Sequence, residues 1–202
     1  MTAQDEIKIT GEPMPIPSMC RFVVNRPLLP GRSYFFGNKE QAERSDLAKR
    51  LFEIECVRSV LISENSVTVT KDGWDPWPEI GKQIGEAIRA HLASGQPAVD
   101  EQVWEQLPSE EELQKRVQEV IDGELNPALG SHGGFVRLVK VEGNRLFLEM
   151  GGGCRGCAMA KITLKQGVER VIHERIPEIG EVVDVTDHSS GDAPFYSSQE
   201  AL

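Results

Sequence analysis

The chain has 202 residues, 39% hydrophobic and 27% charged, with a formal net charge of −10, which is enough apolar material for two small packed domains and excludes wholesale disorder. No apolar run approaches the roughly 20 residues that cross a bilayer, and no basic block is present to hold a nucleic-acid backbone, so neither a membrane nor a nucleic acid is an expected partner. Four cysteines are too few for a disulfide scaffold, which points to a reducing compartment.

Residues 1–17 carry Pro13, Pro15 and Pro17 and no sustained apolar period, so a flexible arm is expected there. The stretch lacks the apolar or Arg-rich pattern of a targeting peptide, and a cytoplasmic location is the expectation. Two β-type runs follow, CRFVVN and RSYFF, divided by Pro27 and the Pro30-Gly31 turn signal. Leu47, Leu51 and Ile54 have helical spacing behind Ser45, a suitable N-cap. SVLIS and SVTVT read as a hairpin around Glu64-Asn65. A helix then opens at Pro78, with Ile80, Ile84, Ala87, Ile88 and Leu92 as its stripe, and ends at Gly95. The predicted first domain, residues 18–97, is ββαββα.

Residues 98–108 are acidic and close on a proline, the composition of a linker; Trp104 within them is expected to pack on one of the two domains. A capping box at Ser109 with Glu110, Glu111 and Glu112 starts the next helix, whose stripe is Leu113, Val117, Val120, Ile121 and Leu125, with Pro127 as its stop. His132 lies in a glycine turn. FVRLVKV and NRLFLEM form a hairpin across Glu142-Gly143, a long helix carries Leu164, Val168, Val171 and Ile172, and EVVDVTD supplies a last strand. The second domain, residues 109–188, is thus αββαβ, and the fold class is α+β with two small domains. Residues 189–202 are expected to be a disordered tail. Residues 18–98 carry 11 basic and 10 acidic side chains and residues 108–188 carry 10 and 14, leaving 1 and 8 in the remainder; most of the surplus acid therefore aids solubility and defines no site.

The sharpest chemical signal is Cys154-Arg155-Gly156-Cys157, preceded by Gly151-Gly152-Gly153. Glycine lets the backbone approach an inorganic centre closely, and the start of the following helix favours thiolate over thiol. Three chemistries use such a pair: thiol–disulfide exchange, a structural zinc site and an iron–sulfur site. The first fits poorly, because a thioredoxin-like fold places its motif before most of its sheet. A zinc or iron–sulfur centre wants four ligands, and this motif supplies two. Either Cys20 and Cys56 complete the set, or a second copy of the chain brings an identical pair. Isolated cysteines are commonly core residues, so the dimeric site is favoured. Spacing alone does not separate iron from zinc. His91, His173 and His188 show no ligand spacing, and no Ser/His/Asp set, phosphate loop or paired-carboxylate pocket stands out.

The segment from His132 to His188, with His132-Gly133-Gly134, the GGGCxGC loop, Thr163-Leu164-Lys165 and the terminal strand, resembles the C-terminal domain of the NifU/Nfu family of iron–sulfur scaffold and carrier proteins. Residues 20–97, with RPLLPGRSYFF, LAKRLFEI and ASGQPAV, resemble that family's N-terminal domain. The resemblance implies that Cys154 and Cys157 of two subunits hold one [4Fe–4S] cluster, in a homodimer when loaded. It further implies that the cluster passes to apo iron–sulfur target proteins from an upstream assembly scaffold, by ligand exchange and without enzymatic turnover, and that the N-terminal domain recognises partners.

Overall fold

The computed structural model describes residues 6–131, 133–152 and 158–186, with residues 158–164 described by their backbone. The chain divides into two compact units, Met1–Pro108 with Glu178–Glu181, and Ser109–Pro177 with Val182–Leu202. Both mix helices with sheet, and the fold is α+β.

The first unit contains β1 (Ile9–Pro13), β2 (Met19–Val24), β3 (Leu29–Phe36), α1 (Asp46–Phe52), β4 (Val57–Glu64), β5 (Ser66–Lys71), α2 (Trp77–Ser94) and α3 (Gln102–Glu105). Its five strands form one antiparallel sheet in the order β1-β2-β5-β4-β3. Alternation sends Cys20, Phe22 and Val24 of β2, Val60 and Ile62 of β4, and Val67 and Val69 of β5 into the core. Leu47 and Leu51 of α1 and Ile80, Ile84 and Ile88 of α2 join that cluster. The expected caps are present: the Ser45 hydroxyl accepts from the Ala48 N–H at 2.9 Å, and Gly95 closes α2 in the left-handed region at φ +67°. Glu64-Asn65 is the two-residue turn of the β4–β5 hairpin, with Glu64 at φ +49°.

Two stretches differ from expectation. Residues 9–13 lie inside the expected arm but form β1, paired with β2 from Ile9↔Val24 to Pro13↔Cys20, so the first unit has one strand more than ββαββα. The strand is exposed along nearly its whole length; it is held by ladder hydrogen bonds and leaves no apolar alternation to read. As an edge strand it also tolerates Pro13. Residues 98–105, expected as linker, are tied to the first unit: Ala98, Val99 and Val103 are buried, the Ser45 hydroxyl donates to the Ala98 carbonyl at 2.5 Å, and the Asp100 N–H donates to the Arg44 carbonyl at 2.8 Å. Trp104 meets Tyr34 edge-on at 5.9 Å, with the Arg32 guanidinium 4.7 Å above its ring.

The second unit contains α4 (Glu110–Val120), a π-helical turn (Ile121–Leu125), α5 (Asn126–Gly130), β6 (Gly134–Glu142), β7 (Arg145–Gly152), α6 (Ala158–Arg175) and β8 (Val182–Asp184). The sheet order is β6-β7-β8, with β6 antiparallel and β8 parallel to β7. Leu146, Leu148 and Met150 face a core that includes Leu113, Val117, Ile121, Val168 and Ile172. The hairpin turn is Gly143-Asn144, one residue beyond the expected position, with Gly143 at φ +59°. Pro127 does not stop the helix. The wider π turn precedes it, and Pro127 falls in the first turn of α5, where a missing N–H costs little.

Candidate functional site

The β6–β7 hairpin sets two glycine segments opposite each other at the end remote from its turn. Register pairs Gly134 with Gly152 and Phe135 with Gly151, so the glycine turn that follows α5 lies against the glycine run at the end of β7. Gly152 has φ +65°, and a Cβ built there would stand 2.2 Å from the Gly133 carbonyl oxygen. Only glycine fits both that backbone conformation and that approach. At Gly151 a Cβ would fall 2.1 Å from the ring of Phe135, which lies across the strand and remains 48% exposed.

Neighbouring groups brace this end of the sheet. The Thr186 hydroxyl accepts the Met150 N–H at 2.8 Å and donates to Asp184 Oδ1, and the Thr186 N–H also donates to that oxygen at 2.9 Å. The Asn126 side-chain oxygen accepts the Val136 N–H at 2.8 Å, and the Gly133 N–H donates to the Gly130 carbonyl at 3.0 Å. β7 ends at Gly152 and α6 begins at Ala158. His132, Cys154 and Cys157 lie outside the described residues, in the single-residue gap before Gly133 and the five-residue gap between β7 and α6. The expected tail, residues 189–202, and His188 lie outside as well.

Cys20 and Cys56 are in the first unit. Cys20 is 3% exposed on the core face of β2, and burial pushes its thiol above the usual range. Cys56 is half-buried between α1 and β4; burial, and then the Asp75 carboxylate, raise its thiol too. Both environments favour the neutral thiol over the thiolate that metals bind. Among the described residues, no group of three or more His, Cys, Asp or Glu side chains is placed to hold a metal ion, and no helix is long and apolar enough to cross a membrane.

His91 is the residue whose surroundings the sequence reading missed. It shows no ligand spacing in the sequence, yet on α2 it is 2% exposed. Its Nδ1 has no hydrogen-bond partner and stands 3.9 Å from an Asp46 carboxylate oxygen, beyond hydrogen-bond reach. Desolvation lowers the imidazole pKa from its ordinary 6.5, and the Asp46 carboxylate offsets part of that. Phe135 and Thr186 were missed for another reason: their partners, Gly151 and Met150, are distant in the chain. The Asp184-x-Thr186 spacing was the one local signal for Thr186.

Comparison with known proteins matches residues 117–183 to the NifU-like domain and residues 9–95 to the N-terminal domain of the scaffold protein Nfu/NifU. A "Fe/S biogenesis protein NfuA" from Stenotrophomonas maltophilia is 36% identical over 167 residues, 82% of this chain and 80% of that protein. A protein of the same description from Psychromonas ingrahamii is 49% identical over 86 residues, 42% of this chain and 45% of that one. Among solved structures, a NifU-like protein from Saccharomyces cerevisiae is 24% identical over 50% of this chain and 91% of its own, with a TM-score of 0.44.

Proposed function

The chain belongs to the Nfu/NifU family, and from that premise we propose that it serves iron–sulfur cluster biogenesis as a carrier, with Cys154 and Cys157 of two copies holding one [4Fe–4S] cluster as cargo. The observation that supports this most is the pair of domain matches, 9–95 and 117–183, the second enclosing Cys154-Arg155-Gly156-Cys157.

The chemistry is ligand exchange. An acceptor thiolate forms a bond to iron as one carrier thiolate leaves, and the proton lost by the acceptor thiol ends on the departing cysteine. No electron moves and no covalent product accumulates, so the protein is a carrier and not an enzyme. α6 starts one residue after Cys157, and the unpaired N–H groups of its first turn favour the thiolate form needed for loading. The remaining cysteines, held as neutral thiols in the first unit, are poor candidates for completing the ligand set; a second copy is the better source. Acceptor apoproteins and an upstream scaffold are the proposed partners, with the first unit as the partner-recognising part and the cytoplasm as the proposed compartment.

Anaerobic reconstitution with iron and sulfide, followed by an absorption spectrum and a metal count, tests the reading. Cys20→Ser and Cys56→Ser are expected to load normally, and Cys154→Ser or Cys157→Ser to lose the visible chromophore. A colourless protein holding zinc alone, or a monomer with a reversible Cys154–Cys157 bond and disulfide reductase activity, would remove the carrier reading.

A further inference from the structure

The loop from β5 to α2, Asp72-Gly73-Trp74-Asp75-Pro76, carries the most exposed large apolar side chain among the described residues: Trp74 is 101% exposed. The loop itself is braced. The Lys71 ammonium, 7% exposed, donates to the Gly73 carbonyl at 3.0 Å and sits 5.5 Å over the Trp77 ring. The Asp72 N–H donates to the Cys56 carbonyl at 2.8 Å, and the Trp77 indole donates to the Pro17 carbonyl at 2.9 Å. A large ring on an anchored loop loses little entropy on binding, the property of an interface hot spot.

The chain neighbours of Trp74, Gly73 and Asp75, line a groove of about 460 Å³. Ile54 and Ile80 give it an apolar floor, and Glu55, Asp72, Asp75 and Glu79 bring four carboxylates with no lysine or arginine in the lining. Arg58 stands 3.9 Å from Asp72, so it offsets one of the four; Lys71 is turned inward. Residues 18–98, which hold this loop and groove, carry 11 basic and 10 acidic side chains, so within that stretch the four carboxylates are a local concentration of negative charge.

We propose that Trp74 and this groove form a docking surface for a protein segment that carries lysine or arginine among apolar side chains: the apolar side chains pack on the indole and on Ile54 and Ile80, and the rim carboxylates pair with the cations. The identification of that segment with cluster acceptors rests on the proposed carrier role; the surface itself does not.

A short amidated peptide of Lys and Leu, with its Glu/Leu counterpart as control, serves as the probe, titrated into the full chain and followed by backbone and indole NMR shifts. The expected result is that the Lys/Leu peptide shifts the Trp74 indole and the amides of residues 72–80, that Trp74→Ala weakens it about tenfold, and that Glu55→Gln with Glu79→Gln weakens it and flattens its salt dependence. Unchanged affinity in Trp74→Ala, equal binding of the Glu/Leu peptide, or shifts centred elsewhere would overturn the proposal. Trp74 is fully exposed, so its variant keeps the fold, which a thermal melt verifies. The same titration on Cys154→Ser/Cys157→Ser separates the two readings: binding persists there even if the cluster reading fails, and a failed titration leaves the cluster reading standing.

Discussion

Gly152 carries two demands at once. Its left-handed backbone costs any other L-residue about 1–2 kcal/mol, and the Gly133 carbonyl occupies the space a Cβ would need. Backbone cannot swing aside as a side chain can. Gly152→Ala is therefore expected to destabilise the second unit by at least about 2 kcal/mol in chemical denaturation and to reduce loading of the adjacent cysteine pair. Gly151→Ala meets only the half-exposed ring of Phe135, which can rotate outward, so it should be milder, and Phe135→Ala in the same chain should restore most of what is lost. Equal stability of the Gly151 and Gly152 variants would contradict this account.

Between helices α1 and α2, a buried imidazole faces the first turn of its neighbour. His91 on α2 is neutral because desolvation depresses its pKa. Asp46 on α1 is held below the usual carboxylate range chiefly by its hydrogen bond to Arg50. The unfolded chain takes up the imidazole proton near its ordinary value of 6.5, before the folded chain does. Stability is then fully present above that pH and declines as the pH falls through 6.5 toward the lower folded value. Thermal melts of the full chain between about pH 7.5 and about pH 5.5 should show the midpoint of the first unit falling, with a smaller fall in His91→Leu. An identical pH profile in that variant would exclude the histidine as the cause.

At the scale of the molecule, the proposed site is incomplete in one chain, since one motif offers two thiolates to a cluster that takes four. Native mass spectrometry of the reconstituted protein is expected to find two chains per cluster, and chelation of the iron should lower that mass toward the single chain. A loaded species of one chain would show that the other ligands come from elsewhere. The division of the chain into two units suits such a carrier, because the cysteine pair lies in one unit and the Trp74 surface in the other.

The elements with a strong internal period were readable as text. α2 shows its core face as Ile80, Ile84 and Ile88, and the hairpins show theirs by alternation, because burying one face imposes the period of the backbone on the residue types. The cysteine motif is proposed from residue order alone, since Cys154 and Cys157 lie outside the described residues. The burial of His91 was not readable. At about 100° per residue it falls nearer the middle of the α2 stripe than Leu92 does, but a count of apolar residues passes over a histidine. β1 was hidden because its strand is exposed and held by backbone pairing to β2. Residue order thus determined the strongly periodic helices and the hairpins, which depend on neighbours in the chain. Tertiary structure alone decided that Gly152 meets Gly133, that Phe135 covers Gly151 and that Trp74 stays uncovered, because each depends on what the fold brings, or fails to bring, from far away along the chain.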